Sequence, residues 1–207
     1  MLGDRSPFAF ALCGLAELPA ALGRFAPTHA ISITDPASPH LPAFPAGTRV
    51  LRLSFWDVRD LPAGQAAWLS PAERALYPAA GHARAILDFG AGLPRQPRVL
   101  IHCWAGFSRS AAAAYLLLCQ RMPGGERRAL RLLRRRRPGA DPNRMIVGFG
   151  DHLLGRGGSM QAALEERPGL AGWLRARRAS RGLPPGESCA GSARGPGRGE
   201  APDPILL

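Results

Sequence analysis

The sequence contains no lysine: all 27 basic residues are arginine, and against 15 acidic residues they give a formal net charge of +12. A charge of this size ordinarily suggests a nucleic-acid or anionic-membrane partner. However, glycine and proline are also abundant, at 25 and 21 of 207 residues, and this profile is typical of a GC-rich genome. The arginine-rich run 127–137 has no interleaved aromatic residues on which bases would stack. We therefore expect no nucleic-acid partner.

Long apolar runs and paired cysteines are also missing. No uninterrupted apolar stretch is long enough to span a bilayer, so we expect no membrane association. The segment 8–23 resembles a signal-peptide core, but Asp4 precedes it, Glu17 lies within it, and no clear basic region comes first. The cysteines show no CxxC pair and no Cys/His cluster at metal-ligand spacing; they are Cys13, Cys103, Cys119 and Cys189. We expect a reduced, cytoplasmic protein without a metal or a cofactor.

The order of the apolar segments predicts a single α/β domain. Strands are expected at 8–13, 28–35, 49–58 and 98–102, and helices at 15–25, 70–93, 110–122, 124–139 and 142–155. Strand–helix–strand alternation of this kind indicates a central, mostly parallel sheet of four to five strands flanked by helices. We expect this domain to occupy 1–178. The remainder, 179–207, is rich in glycine, proline and arginine, and we expect it to be disordered.

One cysteine lies between two segments that are both apolar. The strand 98–102 ends directly before Cys103, and the helix 110–122 begins just after Arg109. The Cys-x5-Arg spacing alone is weak evidence in a chain so rich in arginine. Its context is stronger, because a strand-to-helix loop points backbone N–H groups into a concavity and the helix N-terminus adds partial positive charge. With Gly106 allowing a tight turn, the segment predicts an anion site that favours a nucleophilic thiolate.

The segment 99–118, "VLIHCWAGFSRSAAAAYLLL", resembles the signature loop of the cysteine-dependent protein tyrosine phosphatases, in particular the dual-specificity branch and its bacterial relatives. The family pattern is His-Cys-x5-Arg-Ser/Thr, and every fixed position matches. The resemblance implies the fold of that family and a bacterial tyrosine or dual-specificity phosphatase, a metal-independent phosphomonoester hydrolase acting on phosphoproteins or other phosphomonoesters.

The resemblance also implies site roles. Cys103 corresponds to the nucleophile that forms a phosphocysteine, Arg109 to the phosphate-binding arginine, and Ser110 to the hydroxyl that eases departure of the thiol. His102 is expected to hold the loop through a ring N–H. The phosphate cradle would be lined by the backbone N–H groups of Trp104, Ala105, Gly106, Phe107, Ser108 and Arg109.

A phosphate ester also needs a proton donor for its leaving oxygen, commonly a carboxylic acid. In the family an aspartate after an upstream strand plays this part. Asp57 stands where the apolar pattern of the expected strand 49–58 ends, and we expect it to be the general acid, with Asp60 and then Glu73 as alternatives. Asp57 lies farther ahead of Cys103 than is usual in the family, and an ordinary turn aspartate is the competing interpretation.

Asn143 is a supporting candidate. The family often carries a Pro-Asn ahead of an apolar helix, as in 142–155 here. Its amide would brace the cysteine loop, although a helix N-cap is an equally natural role for asparagine.

Two other classes of function remain open from the sequence. A pseudophosphatase would bind phosphoproteins without turnover. A small-molecule phosphatase, a sulfurtransferase or an arsenate reductase would use the same kind of anion loop. Inositol phosphatases tend to have basic residues inside the loop, and "WAGFS" has none. A resolving role in arsenate reduction does not suit Cys119, which falls in the middle of an apolar helix.

Overall fold

Four parallel strands form the centre of the fold. The computed structural model describes residues 6–36, 38, 41–61, 64 and 68–166. The strands are β1 (Ala9–Cys13), β2 (His29–Thr34), β3 (Arg49–Ser54) and β4 (Arg98–His102). They lie in the order β1-β4-β2-β3, and every pairing is parallel. The carboxyl ends of all four strands therefore meet at one edge of the sheet.

The strand β4 is flanked on both sides. His102 is paired with Cys13 of β1 on one side and with Ser32 of β2 on the other. Val99, Leu100 and Ile101 are completely buried, which explains why this strand reads as a continuous apolar run rather than an alternating one. The residue after β4 is thus held at the middle of the sheet edge.

Helices cover both faces of the sheet. Among the described residues they are α1 (Leu18–Phe25), α2 (Pro71–Ala75), α3 (Ala80–Ala91), α4 (Arg109–Arg121), α5 (Glu126–Arg136), α6 (Arg144–Leu153) and α7 (Ser159–Glu165). The helix α1 packs against β1 and β4 on one face. On the other face, α4 lies against the sheet and is surrounded by α3, α5 and α6. This position explains its apolar sequence on all sides.

The predicted fold class is confirmed: the chain forms an α/β domain with a four-stranded parallel sheet flanked by helices. Two boundaries differ from the predicted ones. The helix expected at 70–93 is divided into α2 and α3, because Pro78 has no N–H to donate and disfavours helical geometry at Tyr77. The strand expected at 49–58 ends at Ser54.

The predicted domain boundary at 178 and the predicted disorder of 179–207 lie outside the described residues. Among the residues that the structure describes, no helix has the length and apolar character needed to cross a bilayer.

A buried carboxylate fixes the turn between α6 and α7. Asp151 accepts hydrogen bonds from the N–H groups of Gly158 (2.6 Å) and Met160 (2.8 Å). Replacement by alanine leaves both amides without this acceptor. We expect Asp151→Ala to lower the free energy of unfolding by about 2–4 kcal/mol, measured by urea denaturation. Asp88→Ala, at an exposed position of α3, is the control and should change it by less than about 0.5 kcal/mol. An equal effect of the two variants would contradict this role.

Candidate active site

Cys103 lies at the base of the loop that joins β4 to α4. Its side chain is buried, with 2% exposure. The N–H of Gly106 donates to its sulfur at 3.3 Å, and the hydroxyl of Ser110 lies 3.2 Å from the same sulfur. Ser110 is on the first turn of α4 and is completely buried. The sulfur therefore accepts a hydrogen bond from the loop backbone and lies at the N-terminus of a long helix, where partial positive charge favours an anion.

The loop carbonyls point away from the sulfur. Four of them accept hydrogen bonds from outside the loop: Trp104 from the N–H of Leu15 (2.9 Å), Ala105 from Nη2 of Arg137 (3.0 Å), Phe107 from the N–H of Asp141 (2.9 Å) and Ser108 from the N–H of Asn143 (3.3 Å). In a trans peptide the C=O and the following N–H point in opposite directions. The N–H groups that follow these carbonyls are thus turned inward, as a phosphate cradle requires.

Two side chains of the loop face outward. Trp104 is 66% exposed. The ring of Phe107 is partly exposed and lies 4.0 Å from the guanidinium carbon of Arg137. Arg137 is also paired with Glu17 at 3.0 Å. The outer wall of the loop is thus held by side-chain contacts as well as by backbone hydrogen bonds.

Gly106 is the position where the loop comes closest to β1. Its φ is +79°, and a Cβ there would lie 2.5 Å from the carbonyl carbon of Cys13 and 2.6 Å from the nitrogen of Gly14. Both contacts are with backbone, which cannot move aside easily. Only glycine fits at this point.

Gly106→Ala should therefore weaken both stability and anion binding. The positive φ alone costs about 1–2 kcal/mol, and the backbone overlap distorts the loop further. Gly47→Ala is a matched control, since Gly47 has a φ of +81° but open space around it. We expect both variants to lose thermal stability and only Gly106→Ala to lose tungstate binding, measured by calorimetry. Equal tungstate affinity of the two variants would contradict the steric argument.

Arg109 is buried, with 3% exposure, and its guanidinium is held from one side. Its Nη1 donates to the carbonyl of Phe55 at 2.7 Å and forms a salt bridge with Oδ1 of Asp35 at 2.6 Å. Its Nε is buried, has no hydrogen-bond partner within the described part of the chain, and lies 3.9 Å from Oδ2 of Asp57. Nε and Nη2 form the other edge of the guanidinium, with two parallel donors of the kind that bidentate contacts to carboxylates and phosphates use.

Asp35 is a site residue that the sequence analysis does not identify. It directly follows β2, at the same edge of the sheet as Cys103, but it begins a proline-rich stretch that by itself indicates only a loop. The available signal is an acidic residue at the carboxyl end of a buried strand. Its proximity to Arg109 depends on β2 lying beside β4, which no local pattern specifies.

Asp57 lies over the loop in a fixed orientation. Its Oδ1 accepts hydrogen bonds from the hydroxyl of Ser108 (2.6 Å) and from Nδ2 of Asn143 (2.9 Å). Its side chain is 34% exposed. The structure therefore brings Asp57 to the cysteine loop, with Oδ2 as the oxygen that is not occupied by these two donors.

The other two candidate acids lie elsewhere. Asp60 is exposed and makes no hydrogen bond to the loop within the described residues. Glu73 caps α2: its carboxylate accepts from the backbone N–H of Ser70, and the N–H of Glu73 donates to the Ser70 hydroxyl. The pKa of Glu73 is lowered because its carboxylate accepts a hydrogen bond from the hydroxyl of Ser70 and, with a smaller effect, one from the backbone N–H of Ser70.

Asn143 makes the expected helix cap together with a second contact that was not expected. The amide of Asn143 donates to Asp57 and to the carbonyl of Val58 (2.9 Å), so it supports the Asp57 segment rather than the cysteine loop, which only its backbone N–H reaches. Its Oδ1 also caps α6 by accepting from the N–H of Ile146. The expected cap and a brace thus occur together.

The ring of His102 links two strands. Its Nε2 lies 2.7 Å from the hydroxyl of Ser32 on β2, so this contact joins β4 to β2. Burial lowers the pKa of His102 to about 4, with a smaller opposing effect from the backbone of Cys103. The imidazole is therefore neutral at pH 7 and adds no charge to the site.

Cys13 and Cys119 are the two other described cysteines. Burial, the largest cause, raises the pKa of both Cys13 and Cys119 to about 12, so both remain protonated thiols at neutral pH. Cys119 is completely buried within α4. Within the described ranges, no group of three or more His, Cys, Asp or Glu side chains is arranged to hold a metal ion.

No protein-family model and no curated protein sequence matches the chain. Solved structures do. The crystal structure of DUSP15 has 21% sequence identity and a TM-score of 0.50, over 82% of this chain and 97% of that one. PTPMT1 has 16% identity and a TM-score of 0.49, over 74% and 94%. The Yvh1 phosphatase domain from Chaetomium thermophilum has 17% identity and a TM-score of 0.49, over 77% and 96%. The likeness to DUSP15 shows a shared fold.

Proposed function

The chain has the fold of the cysteine-dependent protein tyrosine phosphatases, and on that premise we propose that it is a phosphomonoester hydrolase acting through a phosphocysteine on Cys103. One observation carries the proposal. The Cys103 sulfur lies at the base of a loop whose carbonyls are turned outward, and Arg109 and Asp57 lie at the same loop. Phosphoryl transfer needs positioning and charge stabilisation above all, and this arrangement supplies both.

In the first step the Cys103 thiolate attacks phosphorus and the bond to the leaving oxygen breaks. The inward N–H groups and the fork of Arg109 bind the three remaining oxygens as charge spreads over them. Asp57 transfers a proton from Oδ2 to the leaving oxygen, because Oδ1 is already occupied by Ser108 and Asn143. The products are a free alcohol or phenol and a phosphocysteine.

In the second step a water molecule attacks the phosphocysteine and the P–S bond breaks. Asp57, now ionised, accepts a proton from that water. Ser110 donates a hydrogen bond to the departing sulfur at the distance already present, 3.2 Å. Inorganic phosphate leaves, and the thiolate is restored without a metal or cofactor taking part.

We propose phosphoproteins as the substrates, with tyrosine or dual specificity. The loop segment "WAGFS" adds no basic side chain to that of Arg109, and a second phosphate group would need one. Trp104 is exposed immediately after the nucleophile, and Trp56 is 41% exposed immediately before Asp57. Indole rings at these two positions suit the aromatic ring of phosphotyrosine better than a polyphosphorylated sugar.

The test is hydrolysis of p-nitrophenyl phosphate by the wild-type protein in EDTA, with vanadate inhibition measured in parallel reactions without EDTA. We expect turnover that EDTA does not reduce and that vanadate inhibits. Absence of turnover in a folded protein would refute the proposed hydrolase activity. Phosphate binding without turnover would support the non-catalytic phosphoprotein-binding alternative.

A further inference from the structure

Asp35 is the acidic group closest to the proposed phosphate-binding arginine, and the proposed reaction steps do not use it. It directly follows β2, the neighbour of β4 in the sheet. Its Oδ1 lies 2.6 Å from Nη1 of Arg109, and its side chain is 34% exposed. A carboxylate beside a phosphate site would be expected to repel the phosphate dianion. Its presence there therefore requires an explanation.

The hydrogen bonds of Arg109 supply one. A guanidinium has five N–H donors in a rigid plane. Nη1 donates to the carbonyl of Phe55 and is paired with Asp35 in a salt bridge. The Nε is buried and has no hydrogen-bond partner among the described residues. Leaving a buried donor unpaired is unfavourable, so this edge of the plane is ready for an acceptor that a ligand would bring.

We propose that Asp35 is a positioning residue that acts through Arg109. By holding Nη1, it fixes the plane of the guanidinium so that the Nε–Nη2 edge faces the phosphoryl oxygens. This inference rests on the proposed function. A fixed fork stabilises the transition state, whose oxygens have one defined geometry, more than it stabilises a loosely bound phosphate. The negative charge of Asp35 acts against the binding of phosphate itself. Removing Asp35 should therefore weaken stabilisation of the transition state more than it weakens the binding of phosphate.

The test compares Asp35→Ala with Asp35→Asn, which keeps an acceptor oxygen for Nη1. We measure kcat/KM for p-nitrophenyl phosphate, and Ki for vanadate, a transition-state analogue, and for inorganic phosphate. In Asp35→Ala we expect kcat/KM and vanadate affinity to fall together by at least about tenfold, and phosphate affinity by less than about threefold. Asp35→Asn should restore kcat/KM to within about threefold of wild type.

Asp88→Ala, at an exposed position of α3, is the control for the loss of an aspartate and should match wild type. A second comparison isolates the route through the guanidinium. In an Arg109→Lys background no fork remains, so the further change Asp35→Ala should alter kcat/KM by less than about threefold. Melting temperatures of all variants identify any that are unfolded. If Asp35→Ala alone unfolds the protein, Asp35→Asn and the double variant still test whether Asp35 acts through Arg109.

Two outcomes would overturn the inference. One is an Asp35→Ala variant whose kcat/KM and vanadate affinity both remain within about threefold of wild type. The other is an equal loss in the wild-type and Arg109→Lys backgrounds, which would show that Asp35 does not act through the fork. If the wild type does not turn over substrate, the proposed function fails; vanadate and phosphate affinities measured by calorimetry then still test the positioning role.

Discussion

Replacing Cys103 with serine should abolish phosphomonoester hydrolysis and leave the anion site intact. In the proposed reaction the sulfur is the atom of the protein that bonds to phosphorus, and a serine hydroxyl at neutral pH is a far weaker nucleophile than a thiolate. Apart from the N–H of Gly106, which donates to the sulfur, the inward N–H groups and Arg109 are held by contacts that do not involve the sulfur. We expect kcat for p-nitrophenyl phosphate to fall by about 10⁴-fold or more. Tungstate affinity, measured by calorimetry, should stay within about fivefold of wild type.

Cys119→Ala is the matched control for that variant. Cys119 is also completely buried, but it lies within α4 and its thiol stays protonated because burial raises its pKa. Its removal should leave kcat unchanged within about twofold. Turnover by Cys103→Ser near the wild-type rate would rule out the phosphocysteine. If Cys119→Ala lost turnover while folded, a second thiol would be needed in the reaction, as in an arsenate reductase.

Replacing Asp57 with asparagine should give the second-largest effect. Asparagine retains the shape and an acceptor oxygen for Ser108 and Asn143, so the loop should stay in place while the proton is lost. General acid catalysis contributes about 10²–10⁴-fold. We expect kcat to fall within this range for a phosphoserine peptide, whose alkoxide leaves poorly. The loss should be much smaller for p-nitrophenyl phosphate, whose phenolate needs little protonation.

Asp60→Asn is the control that separates the two candidate acids. Asp60 is only three positions away, but it is exposed and has no hydrogen bond to the loop within the described residues. Its variant should match wild type within about twofold on both substrates. If Asp60→Asn were impaired and Asp57→Asn were not, the acid would have been assigned to the wrong residue. Equal losses on both substrates in Asp57→Asn would indicate a structural role instead.

The nucleophile loop was predictable because its signals are local. An apolar strand, a cysteine, a glycine and an apolar helix follow one another in 98–122, and each constrains the next through chain geometry alone. The structure has β4 and α4 at nearly the expected bounds. The split between α2 and α3 also has a local cause, which is Pro78. It was not predicted because the helical periodicity on both sides of Pro78 favours one continuous helix.

The residues that the sequence did not reveal are those whose role depends on distant neighbours. Asp35 meets Arg109 only because β2 and β4 are adjacent, although 63 residues separate the end of one from the start of the other in the chain order β2, β3, β4. The cap made by Asn143 follows from its own helix, whereas its contact with Asp57 joins segments 86 positions apart. Strand order and cross-chain contacts of this kind arise from packing, which no single window of sequence contains.

The four outward carbonyls of the cysteine loop have a consequence for biosynthesis. Their donors come from Leu15, near the start of the chain, and from Arg137, Asp141 and Asn143, well after the cysteine. A growing chain that has released Cys103 from the ribosome still lacks three of these four donors. Because chains emerge from the N-terminus at about 5–20 residues per second, the thiol spends seconds outside its finished cradle. Activity should therefore appear abruptly, once Asn143 has emerged from the ribosome, rather than growing with chain length.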